Sequence, residues 1–197
     1  MFPKDTTATN SSKSFKFGGN QNYRSIETFS TVVKGRKIHM KIKEIIGDNY
    51  FGNWANTRTA CRAIIIREGE ILLSYETKTD QWMLPGGGLK PGEKEKACVI
   101  RETLEETGFV IEPSECLLEI DEYYEDWRFI NRYFTGTIIG TCEKELTDRE
   151  KEVGMEPRWL PLEKIMAVFS RHNDYVESDE MRRGMYLREY TALKEII

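Results

Sequence analysis

Four glycines and a proline fall within seven residues, Gly86-Gly87-Gly88-Leu89-Lys90-Pro91-Gly92, directly before a helix-forming run. Such a run reads as a loop, because glycine and proline both interrupt regular structure. A helix is expected over about 94–107, stopped by Gly108 as a C-terminal glycine stops one. At about 100° per residue, Glu102, Glu105 and Glu106 share about one third of the helix circumference. Ala97, Ile100 and Leu104 fall on the opposite side, with Thr103 at the edge of that apolar face. One face is then expected to pack on a sheet while the other gathers three carboxylates.

Like charges at i,i+4 destabilise a helix by a few tenths of a kcal/mol per pair, so a compensating charge is expected. A hard divalent cation such as Mg²⁺ supplies it through oxygen ligands and shared phosphate oxygens. Glycines let a backbone approach a ligand closely, and a helix N-terminus favours an anion. Together these features suggest metal-bridged phosphate chemistry. A solvated acidic helix face is the competing reading of the carboxylates alone.

The full spacing runs Gly87, five residues, Glu93, seven residues, Arg101-Glu102, then Glu105-Glu106 and Gly108, closing on Phe109. This stretch resembles the Nudix box, the signature of the Nudix hydrolase family, at every charged and glycine position. Thr103 departs from it, where the family usually has an aliphatic residue. The flanking WMLPGGG and EPRWLPLEKI extend the likeness over about 58–170. The resemblance implies an α/β fold, an α/β/α sandwich with a mixed β-sheet and the box as loop–helix–loop. It implies that Glu102, Glu105 and Glu106 bind Mg²⁺ or Mn²⁺ with help from the Gly86 carbonyl. It also implies that Glu93 and Arg101 brace the loop against the helix. Direct phosphate binding by Arg101 is the alternative.

The implied reaction is water attack on a diphosphate linkage of a nucleoside diphosphate derivative, with a carboxylate taking the proton. Glu102 is one candidate base. Glu150 and Glu152 of the charged segment 143–154 are others, unless they are ordinary solvated loop charges. Gly86, Gly87 and Gly88 are expected at the substrate, with Tyr123 and Tyr124 as stacking candidates from the aromatic run 123–133. Rings alternating on a strand are equally the pattern of a core. Tyr124 lies at the distance past the box seen in diadenosine polyphosphate hydrolases. Pro113 falls too early for the ADP-ribose pattern, and Leu72-Leu73-Ser74-Tyr75 does not fit the coenzyme A signature. Tyr50, Phe51 and Trp54 either line the pocket or anchor the N-terminal segment. Two other classes compete. One is a catalytically silent Nudix-like module that senses a nucleotide or sugar. The other is an isomerase-like member, for which Cys61 is the cysteine to examine.

Residues 1–22 read as a disordered polar tail, 23–56 as an N-terminal β-hairpin extension and 57–197 as the Nudix domain. The extension is a candidate for packing on the sheet or for forming a homodimer. Further strands are expected at about 60–66, 71–75, 82–84, 115–121, 128–139 and 158–160. Helices are expected over 161–169 and from Ser178 onward, the last through Met181, Met185, Leu187, Tyr190 and Leu193. The 29 basic and 33 acidic residues leave a net charge of −4, which argues against nucleic acid as a partner bound by bulk charge. No apolar run reaches the length of about 18 residues that a membrane span needs. Four scattered cysteines suit a reduced cytoplasm and give no zinc spacing. A cytoplasmic protein acting on a small nucleotide-type substrate is the expectation. The Ser/Thr-rich N-terminus only faintly resembles a transit peptide, lacking its arginines.

Overall fold

The computed structural model describes residues 22–33 and 36–197. The polar tail expected over 1–22 lies, except for Asn22, outside the described residues. So do Lys34 and Gly35. The strands on either side of them, β1 (Asn22–Val33) and β2 (Arg36–Ile46), pair antiparallel.

After the hairpin come β3 (Asn56–Ile64), β4 (Ile66–Arg67), β5 (Glu70–Glu76), β6 (Gln81–Met83) and β7 (Gly86–Gly88). The box helix α1 (Glu95–Thr107) leads into two long strands, β8 (Phe109–Tyr124) and β9 (Trp127–Thr141). The short α2 (Asp148–Glu152), β10 (Met155–Pro161), α3 (Leu162–Ser170), a 3₁₀ turn (His172–Tyr175) and α4 (Glu180–Ile196) complete the chain. A mixed six-stranded sheet has the order β1-β2-β8-β9-β3-β7, with β2–β8 and β3–β9 parallel. A second, antiparallel sheet has the order β10-β5-β4, with β6 on β5. The hairpin therefore continues the main sheet, and Ile45 of β2 enters the core.

Strand alternation divides that core in two. Ile64, Ile71, Leu73 and Tyr133 face one side and pack with Phe169, Tyr186 and Leu193 of the C-terminal helices. Cys61, Ala63, Leu72 and Phe134 face the other and pack with Cys98 and Val99 of α1. Helices thus cover both sides of a mixed sheet, the α/β/α arrangement. No helix among the described residues is long and apolar enough to cross a membrane.

Several local expectations need correction. Gly86–Gly88 is a strand rather than a loop, paired antiparallel with Ala60–Arg62. Its glycines are required by close approach, since a Cβ on Gly86 would meet the Cys61 carbonyl at 2.2 Å. β8 and β9 extend beyond 115–121 and 128–139, carried by pairing with each other. The segment 143–154 contains a helix, α2, nucleated by a capping box between Thr147 and Glu150. α4 is capped by Asp179, whose side chain accepts from the Arg182 N–H, and not by Ser178. Its packed face also differs. Met181 is 86% exposed, while Gly184, Tyr186, Leu187 and Arg188 are buried.

α1 packs through Cys98, Val99, Thr103, Glu106 and Thr107, with Ala97 exposed and Ile100 and Leu104 half-buried. The helix touches β3, β7, β8 and β10, so more than one of its faces is covered. Thr103 sits at the centre of the packed face and Glu106 beside it.

Leu187→Ala should lower the unfolding free energy by about 2–5 kcal/mol, against about 0.5 kcal/mol or less for Met181→Ala. Urea denaturation of both variants checks which face of α4 is packed; equal effects would contradict it.

Candidate active site

The site is built where α1 crosses β7. With no side chains on Gly86–Gly88, the helix comes close enough for the Glu102 carboxylate to lie over Gly87. A Cβ there would stand 2.4 Å from Glu102 Oε2. Gly108, at φ 77°, ends α1 and returns its N–H to the Leu104 carbonyl at 2.8 Å. The chain then turns directly into β8.

Arg101 organises the carboxylates. Its Nε and Nη2 donate to the two oxygens of Glu93 at 2.8 and 3.0 Å, and Nη2 also reaches the Gly88 carbonyl at 3.1 Å. Nη1 donates to Glu102 at 2.7 Å and to Glu105 at 3.0 Å. One guanidinium thereby joins the loop before the helix, the glycine strand and two helix carboxylates. It holds the Glu93 carboxyl down at about 2.

Glu106 has a different environment. It is 6% exposed, accepts from Ser74 Oγ at 2.5 Å and from the Gly86 N–H at 3.2 Å, and belongs to no ion pair among the described residues. Burial pushes its carboxyl up to about 8. Burial also raises Glu102, against the pull of Arg101 and with repulsion from Glu105 and Glu150. Glu102, Glu105, Glu106 and the Gly86 carbonyl offer only oxygen donors, and Glu106 has no ion-pair partner among the described residues. That donor set fits a hard divalent cation. Among the described residues no three His, Cys, Asp or Glu side chains converge as a ready-made metal cage. Arg101 engages two of the three carboxylates, and Ser74 engages the third.

Between β3, β8, β9 and α4 opens a cavity of about 530 Å³, lined among others by Arg58, Arg62, Tyr124, Trp127, Phe129 and Met185. Arg58 and Arg62 link it to the box: the Arg58 guanidinium lies beside Gly88, and the Arg62 backbone lies under Gly86. Tyr124 faces this cavity, its ring held between Gly47 and Gly184. Tyr123 points the other way, onto Tyr50 and Trp54 at 5.3 and 5.4 Å between ring centres. Phe51 is exposed and Tyr133 is buried in the core.

Glu150 lies on α2, where its carboxylate accepts from the Thr147 N–H at 2.7 Å and caps its own helix. Glu152, two residues on, is exposed. The segment is tied down at two points. The Glu145 N–H donates to the Glu105 carbonyl at 3.1 Å, and Arg149 pairs with the buried Glu76 at 3.2 Å. Cys61 is fully enclosed under α1, where a hydrogen bond with Cys98 and burial push its thiol up.

Sequence reasoning missed Ser74, Arg58, Arg62, Glu122, Asn131 and Arg188. Ser74 was visible as the lone small hydroxyl in an apolar strand. Arg58, Ala60 and Arg62 share one strand face by the period of two. The others become neighbours through pairing over long sequence separations.

A family model described as NUDIX domain matches residues 56–181. A Bacillus subtilis protein provisionally named an ADP-ribose pyrophosphatase is 32% identical over 119 residues, covering 57% of this chain and 54% of that protein. Mouse diphosphoinositol polyphosphate phosphohydrolase 3-alpha is 30% identical over 109 residues, covering 54% of this chain and 63% of its own. The chain thus spans a little over half the length of these relatives. Among solved structures, a NUDIX hydrolase from Nitrosomonas europaea superposes with a TM-score of 0.51 at 20% identity, over 71% of this chain and 91% of that one. That likeness concerns the fold.

Arg101→Lys should destabilise the protein by about 2–3 kcal/mol, because an ammonium cannot reproduce the planar fork. Urea denaturation measures this, and a variant as stable as the parent would contradict the brace. Glu93 sits below its ordinary value of 4.5, so its stabilisation is complete above 4.5 and is lost as pH falls toward about 2. Glu93→Gln should therefore flatten the loss of stability over that window.

Proposed function

Because the chain belongs to the NUDIX domain family, we propose that it hydrolyses a diphosphate linkage in a nucleoside diphosphate derivative. The observation that carries this reading is the meeting of Glu102 and Glu106 with Gly86–Gly88, with Glu105 joined to Glu102 through Arg101 and a ligand-sized cavity lined by Arg58 and Arg62 of the adjoining strand. Relatives named for ADP-ribose and for diphosphoinositol polyphosphates support a phosphoanhydride as the bond broken.

Glu102, Glu105, Glu106 and the Gly86 carbonyl would hold Mg²⁺ or Mn²⁺, which neutralises phosphate charge and acidifies water when bound. The chain's own groups do the rest. Gly86–Gly88 let the substrate phosphates approach the backbone. The exposed Arg58 guanidinium beside Gly88 is available to phosphate oxygens. Arg101 and Glu93 act indirectly, by fixing the loop and the carboxylates. Glu102 is the candidate base inside the cluster. Glu150 is the candidate outside it, and would first leave its cap on Thr147. A small nucleotide-type substrate, a cytoplasmic setting and a homodimer through the β1–β2 hairpin are parts of the same proposal.

The test is phosphate or nucleotide release, with Mg²⁺ and Mn²⁺, from a panel of phosphoanhydrides. The panel holds dinucleoside polyphosphates, ADP-ribose, nucleotide sugars, NADH, deoxynucleoside triphosphates and a diphosphoinositol polyphosphate. Metal-dependent release from one class is expected. Glu106→Gln should lower it by roughly two orders of magnitude or more, with the fold intact by circular dichroism. Turnover unchanged in that variant would remove Glu106 from the site. No turnover on any member would favour a silent sensing module instead.

A further inference from the structure

The segment that carries α2 spans from the box helix to β5, and little apolar contact holds it there. None of the five residues of α2 is buried, and Leu146 and Val153 on either side of it are only half-buried. Its ties are polar. Before the helix, the Glu145 N–H donates to the Glu105 carbonyl of α1 at 3.1 Å. After it, the Gly154 and Val153 carbonyls accept from the N–H groups of Thr77 and Lys78 at 3.3 and 3.2 Å. Those bonds continue the β5–β10 pairing, in which Met155 stands opposite Glu76. Between the two ends lies the ion pair of Arg149 with Glu76.

Charge shows what that pair does. The half-buried Glu150 carboxylate repels that of Glu102. α2 therefore brings one more negative charge to a cluster already rich in them, and repulsion alone would lift the helix away. Glu76 supplies the opposing attraction. It is 1% exposed, and its Oε2 accepts from Thr79 Oγ1 at 2.7 Å. Its Oε1 has no hydrogen bond and faces Arg149 Nη2 at 3.2 Å. Arg149 is its ion-pair partner among the described residues. An ion pair between two exposed groups contributes little, but a buried carboxylate stripped of its cation is costly. Lifting α2 would strip Glu76 in this way, so the buried end makes the pair a tether even though the Arg149 side chain is 68% exposed. We propose that Arg149 and Glu76 are positioning residues, a latch that keeps α2 down and holds Glu150 beside Glu102. The assignment deepens the diphosphatase reading and rests on it for what Glu150 does there, though not for the latch itself.

The latch is tested by amide hydrogen exchange on the full chain. The reporters are the N–H groups of Glu145, Lys151 and Val153, whose acceptors are the carbonyls of Glu105, Thr147 and Arg149. Arg149→Ala should speed their exchange about tenfold and leave the β3–β9 ladder unchanged. Alanine is the better helix former, so a purely local effect on α2 would not speed it. Arg149→Lys keeps the charge and should restore most of the protection. Glu76→Gln should match Arg149→Ala, and the double variant should exchange no faster than either. If Glu76→Gln fails to fold, the two Arg149 variants still decide. On a substrate that turns over, Arg149→Ala should lower kcat about tenfold and move KM by no more than about twofold. In a Glu150→Gln background the same substitution should change kcat by no more than about twofold, because the latch acts through Glu150. Unchanged exchange in Arg149→Ala, no rescue by Arg149→Lys, or an equal loss of kcat in both backgrounds would overturn the proposal. Faster exchange without turnover on any substrate rejects only the diphosphatase reading.

Discussion

The approach of a bare backbone strand to a helix is the constraint on which the rest of this site depends. β7 is three glycines wide, hydrogen-bonded to β3 on one side and covered by α1 on the other. Any Cβ on Gly86 would strike the β3 backbone, and one on Gly87 would strike the Glu102 carboxylate. The missing side chains let a helix carboxylate and two main-chain groups, the Gly86 N–H and the Gly88 carbonyl, meet in one small volume. Stability comes from elsewhere, from the two apolar layers on either side of the sheets.

Within that volume charge is divided unevenly. Glu93, Glu102 and Glu105 share the Arg101 guanidinium, and this charge-assisted cluster holds loop, strand and helix in register. Glu106 is left on the packed side with a hydroxyl and a backbone N–H as neighbours. Desolvation raises its pKa against the pull of the Ser74 and Gly86 hydrogen bonds and of the Arg62 charge. The acidic face of the helix is thus partly a surface and partly a core.

The box helix, its terminating glycine and the shared side of Glu102 and Glu105 were legible because they depend on neighbours within one or two helical turns. The pairing of β1 with β2 was legible for a similar reason, since the two strands adjoin in sequence. α2 was missed because charge density suggested a loop, although Thr147 and Glu150 stand at capping-box spacing. The packed faces of α1 and α4 were not legible either. A helical projection orders side chains around an axis but does not say how many sides are covered. α1 meets strands of both sheets, and α4 buries Arg188 and Glu189 because Glu122, Tyr133 and Arg62 supply their partners.

By itself the sequence determined the make-up of the box, since carboxylates, arginine and glycines at fixed spacing fold into one local unit wherever the helix forms. It also determined the mixed α/β class, through periods of 2 and 3.6 in alternating segments. Tertiary structure alone decided which tyrosine faces the cavity and which carboxylate is buried. It also gathered Arg58, Glu122 and Arg188, from β3, β8 and α4, around one cavity. The physical reason is range. Hydrogen bonds within a helix or turn link residues a few positions apart, whereas β3–β9 pairing and the docking of α4 bring together groups more than sixty positions apart.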